Sequence, residues 1–376
     1  MWLKIEHDLT TDFKVSWGDR SGQVVLTYSV GRSSILEAAA KVREELGALH
    51  ELAAVTDPAE KRRRLIRLAE AGRSLRWRFF NDPAKEREIA ALEDWIADEY
   101  RAGDHDLFVH ADFSIHVPWG LLYDGELPSE QATGNAGDIA AEITDFSGFW
   151  SLKYELSTTP NGQRVRSRSK LTRGRRTFGL LSLVNSEVHE QIREDLGADY
   201  EAFEKILNPP LGVAHDYSHC NDLLNATEQV DILFHFLGHQ ENQVLYLSDG
   251  NTISYDDYCR LIRLLVRSRN PEASPYSLLF LNGCETATGD SDLTFRREAL
   301  REQICGAIAT ESVVRRSYAA KFGFRFLRAM VNEGKSVAEA IHELRHDPGM
   351  WPESLLYGCY AQPDYRIEKA AESAAA

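Results

Sequence analysis

Four stretches in the second half of the chain are almost wholly apolar: FGLLSLV (178–184), VDILFHFLGHQ (230–240), SLLFLNGCET (277–286) and AIATESVV (307–314). Short continuous apolar runs, without every-second-residue alternation, predict strands covered on both faces. Between and after them lie helical patterns. EVHEQIREDLGADYEAFEKIL follows the first run and SYDDYCRLIRLLVRS precedes the third. EALREQICG, YAAKFGFRFLRAMVNEG and SVAEAIHELRHD carry three- and four-residue apolar spacing, with Gly334 closing one helix and Ser336 capping the next. VLYLSDGNTIS predicts a hairpin turning at Asp249-Gly250, and LLYGCYAQ a last strand. Strands alternating with helices predict an α/β fold with a mainly parallel sheet and helices on both faces. Sites in such sheets lie beyond the carboxyl ends of the strands.

The first half reads differently. KIEHDLTTDFKVSW and QVVLTYSV predict two strands joined by the turn WGDRSGQ, an N-terminal β-hairpin. Residues 33–101 are helical, with Ser33 or Ser34 capping the first helix. Asp57 and Asp82, each followed by Pro-Ala, cap the next two. LFVHADFSIHVPWGLLYDGELP predicts a strand, a turn and a short strand or helical turn, and 129–177 is mixed. The expected division is 1–104 (hairpin plus helices), 105–177, a core at 178–368 and a frayed tail at 369–376.

Composition adds limits. Hydrophobic residues are 43% and charged residues 27% of the 376, which suits a folded chain with a substantial core. No apolar run is long enough to span a membrane, and the N-terminus lacks a secretory apolar segment, so a cytoplasmic location is expected. A net charge of −15 argues against direct nucleic-acid binding. Residues 164–176, RVRSRSKLTRGRR, are the exception, with seven basic residues and no acid. Such a run is a solvated loop, a contact for an acidic partner or a nucleic acid, or a cleavage site.

Five cysteines without a CxxC pair suggest free thiols rather than a disulfide framework or a common zinc site. His215, His219 and Cys220 are irregularly spaced for metal ligation, and no metal or organic cofactor is expected. Two apolar runs, however, end in reactive side chains: Gly238-His239 and Gly283-Cys284. If the two strands are parallel neighbours, both residues emerge at one rim. A thiol with pKa near 8.5 needs a base to become a nucleophile, and an imidazole supplies one. Backbone N–H groups of Gly238, Gln240 and Cys284 are candidates to hold an oxyanion. The order, His 45 residues before Cys, differs from papain-like enzymes and fits the caspase arrangement. The bland readings are a small core cysteine, a packed His235, a core Trp119, and turn-forming roles for Glu285 and Thr286.

ILFHFLGHQ, LLFLNGCET and VHADFSIHVPWGLLYDG together resemble the CHAT domain, a family placed with caspases, separases and gingipains. Pro118-Trp119 and Leu121-Leu122-Tyr123-Asp124 match the family's upstream motif, with Gly120 where Glu is usual. Gly306–Thr310 resembles its next strand, and Ala320, Phe322, Phe326 and Gly334 its following helix. The resemblance spans roughly 105–365. It implies a caspase-like core, His239 and Cys284 as catalytic residues, and peptide-bond hydrolysis through a thioester. Gln240 stands where the family usually has Gly, which keeps a non-catalytic scaffold open as the alternative. A hydrolase of another amide or ester is a third reading. Relatives often act in prokaryotic defence, switched on by a partner, so an activating protein and a protein or peptide substrate are the expected partners. Several relatives prefer Arg or Lys before the scissile bond, using acids in the pocket. Asp145, Asp249, Asp290 and Asp292 are candidates here, and Arg164, Arg166, Arg168, Arg173, Arg175 and Arg176 are candidate self-processing positions.

Overall fold

The computed structural model describes residues 1–8, 12–49, 57–111, 115–130, 138–160, 178–207, 212–226, 231–241, 244–248, 250–266, 277–287 and 306–367. It divides into two compact units, Met1–Gln163 with His342–Gly358, and Arg164–Ile341 with Cys359–Ala376.

The first unit is built on a five-stranded sheet. β1 (Trp2–His7), β2 (Asp12–Gly18) and β3 (Val24–Gly31) form an antiparallel meander. β4 (Asp106–Ala111) pairs parallel with β1, and β5 (Glu155–Pro160) parallel with β4, giving the order β3-β2-β1-β4-β5. The expected two-stranded hairpin is therefore corrected to three strands. The run 4–17 is itself a hairpin, with His7 opposite Phe13 and the Asp8 amide donating to the Asp12 carbonyl. Period-two alternation looks the same in one long strand and in two folded together, and DLTT carries neither Gly nor Pro to mark the turn. The boundary expected at 104/105 has no counterpart, because β4 lies between β1 and β5 in one sheet.

Helices α1 (Arg32–Gly47), α2 (Pro58–Phe79) and α3 (Glu86–Arg101) follow. Asp57 caps α2 through the Ala59 amide. Asp82 caps the single 3-10 turn Pro83–Lys85 that leads into α3. Ser33 and Ser34 are not caps. α1 starts at Arg32 after Gly31, and the Ser34 hydroxyl donates back to the Gly31 carbonyl. Trp119 opens a 3-10 turn and is buried against Phe79. α4 (Ile139–Asp145) and α5 (Trp150–Lys153) complete this unit's described elements before β5.

The second unit carries a six-stranded sheet in the order β14-β13-β12-β8-β6-β7. Its strands are β6 (Phe178–Val184), β7 (Gly212–Ala214), β8 (Asp231–Leu237), β12 (Leu278–Asn282), β13 (Gly306–Thr310) and β14 (Tyr357–Ala361). Pairs β6–β7, β6–β8, β8–β12 and β12–β13 are all parallel, as the apolar runs predict. Three short strands, β9 (His239–Glu241), β10 (Val244–Ser248) and β11 (Asn251–Ser254), form a separate antiparallel sheet beyond the tip of β8. Ser248 faces Asn251 across a two-residue loop, where Gly250 has φ 77°.

The predicted stretch 187–207 is two helices, α6 (Ser186–Leu196) and α7 (Tyr200–Leu207), separated by a turn at Gly197. α8 (Tyr217–Ala226), α9 (Tyr255–Val266), α10 (Arg316–Val331) and α11 (Val337–His346) complete the described helices. Ser336 and Glu339 cap α11 reciprocally, hydroxyl to amide at 3.2 Å and amide to carboxylate at 2.7 Å. β7 lies to one side of β6 and β12 to the other side of β8. Right-handed crossovers therefore put α6–α7 and α9 on opposite faces of the sheet. α10 packs against α6 and α7, and α8 against α9.

The α10 face is unusually polar at its centre. His235 is fully buried, stacks on Phe280 at 5.1 Å, and among the described residues has the Ser182 hydroxyl, 3.4 Å from Nδ1, as its one hydrogen-bonding contact. The Asn282 side-chain amide donates to the Ala319 carbonyl of α10 at 2.8 Å. α10 comes this close because residue 323 is glycine: a Cβ there would stand 2.7 Å from Asn282 Nδ2 and 3.8 Å from His235 Nε2. His235 is thus a packed core histidine. Expected features at EALREQICG before Gly306, the turn residue Asp249, the basic run 164–176 and the tail lie outside the described residues.

Candidate active site

The site begins with strand register. Leu237 of β8 and Asn282 of β12 are direct partners in the parallel ladder, so Gly238-His239 and Gly283-Cys284 leave the sheet side by side at its carboxyl rim. The two glycines leave little room between the tips. A Cβ on Gly283 would lie 3.0 Å from the Gly238 carbonyl oxygen and 2.8 Å from the Phe236 ring. Any larger residue at 283 would have to displace the Phe236 ring, the Gly238 peptide or both.

After Cys284 the chain turns sharply, with Glu285 at φ 53°, the one non-glycine residue with positive φ among those described. A left-handed residue of this kind costs about 1–2 kcal/mol and persists where its surroundings fix it. Here they do. The Glu285 amide donates to the Ser312 carbonyl at 3.1 Å, and the Ala287 amide to the Thr310 carbonyl at 2.9 Å. The Thr286 hydroxyl donates to the Leu281 carbonyl at 2.8 Å and accepts from the Thr310 amide at 3.0 Å. The Thr310 hydroxyl in turn donates to the Gly283 carbonyl. Glu285 and Thr286 are therefore turn-forming residues, and the tip of β13 buttresses the cysteine.

The Cys284 side chain is half-buried, and its thiol points to the Val314 carbonyl at 3.6 Å. Burial pushes its pKa up, with Glu285 adding to the rise, while backbone hydrogen bonds partly oppose it. His239 begins β9, opposite Tyr246 of β10, with the two ring centroids 5.6 Å apart. Its side chain is 53% exposed, and Nε2 lies 3.6 Å from the Glu241 carboxylate. Gln240 sits in β9 opposite Leu245. In this arrangement sulfur and imidazole share a rim but each has its own partner.

Asn185, one residue past β6, ties this rim together. Its amide donates to the Leu237 carbonyl at 2.9 Å and its side-chain nitrogen to the Tyr246 carbonyl at 3.1 Å. Its side-chain oxygen caps α6 through the Val188 amide at 3.0 Å. Sequence reasoning missed Asn185, Glu241 and the Thr286–Thr310 pair. The signals were present, since Asn185 sits between an apolar run and a helical pattern, the place of an N-cap. Glu241 is two residues from His239, on the same side of a strand.

The other sequence candidates fall elsewhere. Asp145 belongs to the first unit and is not an open pocket acid. Its carboxylate holds the buried Arg62 guanidinium at 2.7 Å. Asp249, Asp290, Asp292 and the arginines of 164–176 lie outside the described residues. The His215 Nδ1–H donates to the Val184 carbonyl at 2.8 Å, the His219 amide donates to Asp216, and Cys220 is buried with its thiol pushed up to about 12. Among the described residues no group of His, Cys, Asp or Glu is placed to hold a metal ion. No disulfide joins Cys220, Cys259, Cys284 and Cys359. No described helix is long and apolar enough to cross a membrane. A cavity of about 440 Å³ beside Trp77, Phe80 and Glu86 lies in the first unit and carries none of these candidates.

The fold defined by this parallel sheet, with helices on both sides, is of the caspase–separase type. The chain is similar to one in the crystal structure of the Saccharomyces cerevisiae separase–securin complex, with a TM-score of 0.52 and 12% identity. The match covers 96% of this chain and 30% of that one. No protein-family model matches the sequence, and no curated protein matches it.

Proposed function

We propose that the chain is a cysteine endopeptidase in which Cys284 attacks the scissile carbonyl and His239 is its base. The observation that carries this reading is the pairing of Leu237 with Asn282, which delivers both residues to one rim of the sheet. His239 takes the thiol proton, the thiolate forms a thioester, and the imidazolium returns the proton to the leaving amine before water hydrolyses the thioester. The amides of Gly238, Gln240 and Cys284 are the proposed oxyanion donors. A backbone donor does not require glycine, so Gln240 is compatible with this role.

At the finer level we propose a CHAT-type peptidase, of the sort that serves as a defence effector, activated by a protein partner. The ordered motifs Pro118-Trp119, Gly238-His239 and Cys284-Glu285-Thr286 support this assignment. That the similar structure is a separase–securin complex is in keeping with a protein partner. For specificity we propose Arg or Lys before the scissile bond, with Asp249, Asp290 or Asp292 supplying the pocket charge. Asp145 drops out of this set because Arg62 already neutralises it. Self-processing within 164–176 follows from the same preference.

The resting geometry also favours a second reading, a scaffold that binds a peptide without cutting it. The thiol faces the Val314 carbonyl and burial keeps it protonated. Peptidyl ketones with Arg, Lys or apolar residues at the terminal position separate the two. Covalent mass addition at Cys284, lost in Cys284→Ala and slowed by His239→Ala, supports the peptidase. No addition from any of the peptides, with or without a candidate activator, leaves the scaffold. Intact masses of wild type and Cys284→Ala test self-processing, which predicts fragments ending in 164–176 from wild type alone.

A further inference from the structure

Asn185 brackets the histidine-bearing segment from both sides. Its amide holds the carbonyl of Leu237, two residues before His239, and its side-chain nitrogen holds the carbonyl of Tyr246, the cross-strand partner of His239. The third contact, to the Val188 amide, anchors Asn185 on the first turn of α6. α6 is itself held to α10 by the Arg316–Asp195 ion pair at 2.9 Å. The small sheet β9–β10–β11 thus hangs from the main sheet at one asparagine as well as through the chain itself. Gly238 makes that close approach possible, since a Cβ there would stand 3.0 Å from the Tyr246 carbonyl.

We infer that Asn185 is a positioning residue: by clamping the Leu237 and Tyr246 carbonyls together it fixes where the His239 imidazole stands relative to Cys284. The catalytic part of this inference rests on the peptidase reading, while the clamp itself does not. Asparagine suits the role because its side chain both donates and accepts. Aspartate keeps the helix cap but loses the donor to Tyr246, and places a negative charge against that carbonyl. Serine keeps a cap but is too short to span to β10. Misplacing a reacting group by about 1 Å costs roughly 10²-fold in rate, so even a small swing of this hairpin is measurable.

The test uses the full chain with Asn185→Asp and Asn185→Ser, both retaining a capping oxygen, with thermal unfolding to confirm folding. Amide hydrogen exchange at His239, Gln240 and Tyr246 is expected to rise about tenfold or more in both variants, while exchange in β12 and β13 stays as in wild type. With a cleaved peptide substrate, kcat is expected to fall about 10- to 100-fold with KM within about threefold. Unchanged exchange at those three amides overturns the clamp. Faster exchange with unchanged kcat overturns the positioning role. A wild-type chain that neither cleaves nor takes up a peptidyl ketone, yet shows the exchange difference, sinks the peptidase reading and leaves the clamp standing.

Discussion

Leu237 and Asn282 face one another at the last rung of the β8–β12 ladder, and a Cβ added to Gly283, the residue after Asn282, would stand 3.0 Å from the carbonyl oxygen of Gly238, the residue after Leu237. That register brings the segments bearing His239 and Cys284 to one rim of the sheet. It arises from two apolar runs that are each continuous, each buried on both faces and each ended by a residue without a side chain. Beyond the glycines the two segments part. One turns into β9 and the other into the left-handed turn at Glu285.

The resting state of the thiol is the first prediction. Burial raises the Cys284 pKa, and its thiol points to the Val314 carbonyl at 3.6 Å. A group with a raised pKa is protonated over a wider range, so thiolate appears only above the ordinary cysteine value. Alkylation of Cys284 by iodoacetamide, followed by peptide mass mapping, is expected to be slow at pH 7.5 and to climb steeply above about pH 9. His239→Ala is expected to change the rate at pH 7.5 by less than about threefold in the unliganded protein. A plateau reached below pH 7 would show a preformed thiolate–imidazolium pair and refute the resting arrangement.

Glu241 faces His239 at 3.6 Å, but the two side chains are 61% and 53% exposed. Exposed ion pairs are worth about 0–1 kcal/mol and weaken with salt. Glu241→Gln is therefore expected to lower kcat/KM on a peptide substrate by less than about tenfold, with the difference shrinking at high ionic strength. A loss of a thousandfold or more would mean that Glu241 is desolvated in the working enzyme and orients the imidazole as an integral third member.

His235 makes stability depend on pH. Its pKa is pushed down from 6.5 to about 3 by complete burial, so the folded chain holds a neutral ring where the unfolded chain takes up a proton. The contribution is fully present above about pH 6.5 and is lost as pH falls toward about 3, with a ceiling on the order of 5 kcal/mol. His342, pushed down to about 4, adds to the same trend. Urea midpoints between pH 7 and pH 4.5 are expected to fall for wild type and to fall less for His235→Leu. Parallel curves for the two proteins would rule out His235 as a source of the acid sensitivity.

The second unit was more legible in the sequence than the first, for physical reasons. Strands buried on both faces, such as 277–286, announce themselves as continuous apolar runs, so β6, β8, β12 and β13 could be read directly. β5 could not. ELSTTP has one leucine, and its buried Ser157, Thr158 and Thr159 owe their burial to the sheet around them. Three-residue β7 and β9 are too short to show any period. His239 and Cys284 were visible because each ends an apolar run after a glycine. The capping position of Asn185 was also readable, but its hold on Leu237 and Tyr246 and the Thr286–Thr310 pair were not, because these depend on hydrogen bonds between segments far apart in sequence. Asp145 illustrates the opposite failure: an acid looked available for a substrate until its partner Arg62, 83 residues away, came into view.

Gly283 provides the sharpest test of the strand-tip geometry. Its ideal Cβ position is 2.8 Å from Cε1 of Phe236, a ring with no exposed surface, and 3.0 Å from the Gly238 carbonyl oxygen. Neither neighbour is the loose end of a flexible chain, so Gly283→Ala must displace the Phe236 ring, the Gly238 peptide or both. Overpacking of this kind costs about 1–3 kcal/mol, which urea unfolding can resolve. The same displacement pushes His239 and Cys284 apart, so labelling by a peptidyl ketone is expected to fall by about a hundredfold or more. Gly31→Ala, at φ −64° and with the Ser34 hydroxyl oxygen 3.5 Å from an added Cβ, serves as the control for loss of a glycine alone. If Gly283→Ala unfolds at the wild-type urea midpoint and labels at the wild-type rate, the two tips are not packed as described and the basis for pairing the sulfur with the imidazole is gone.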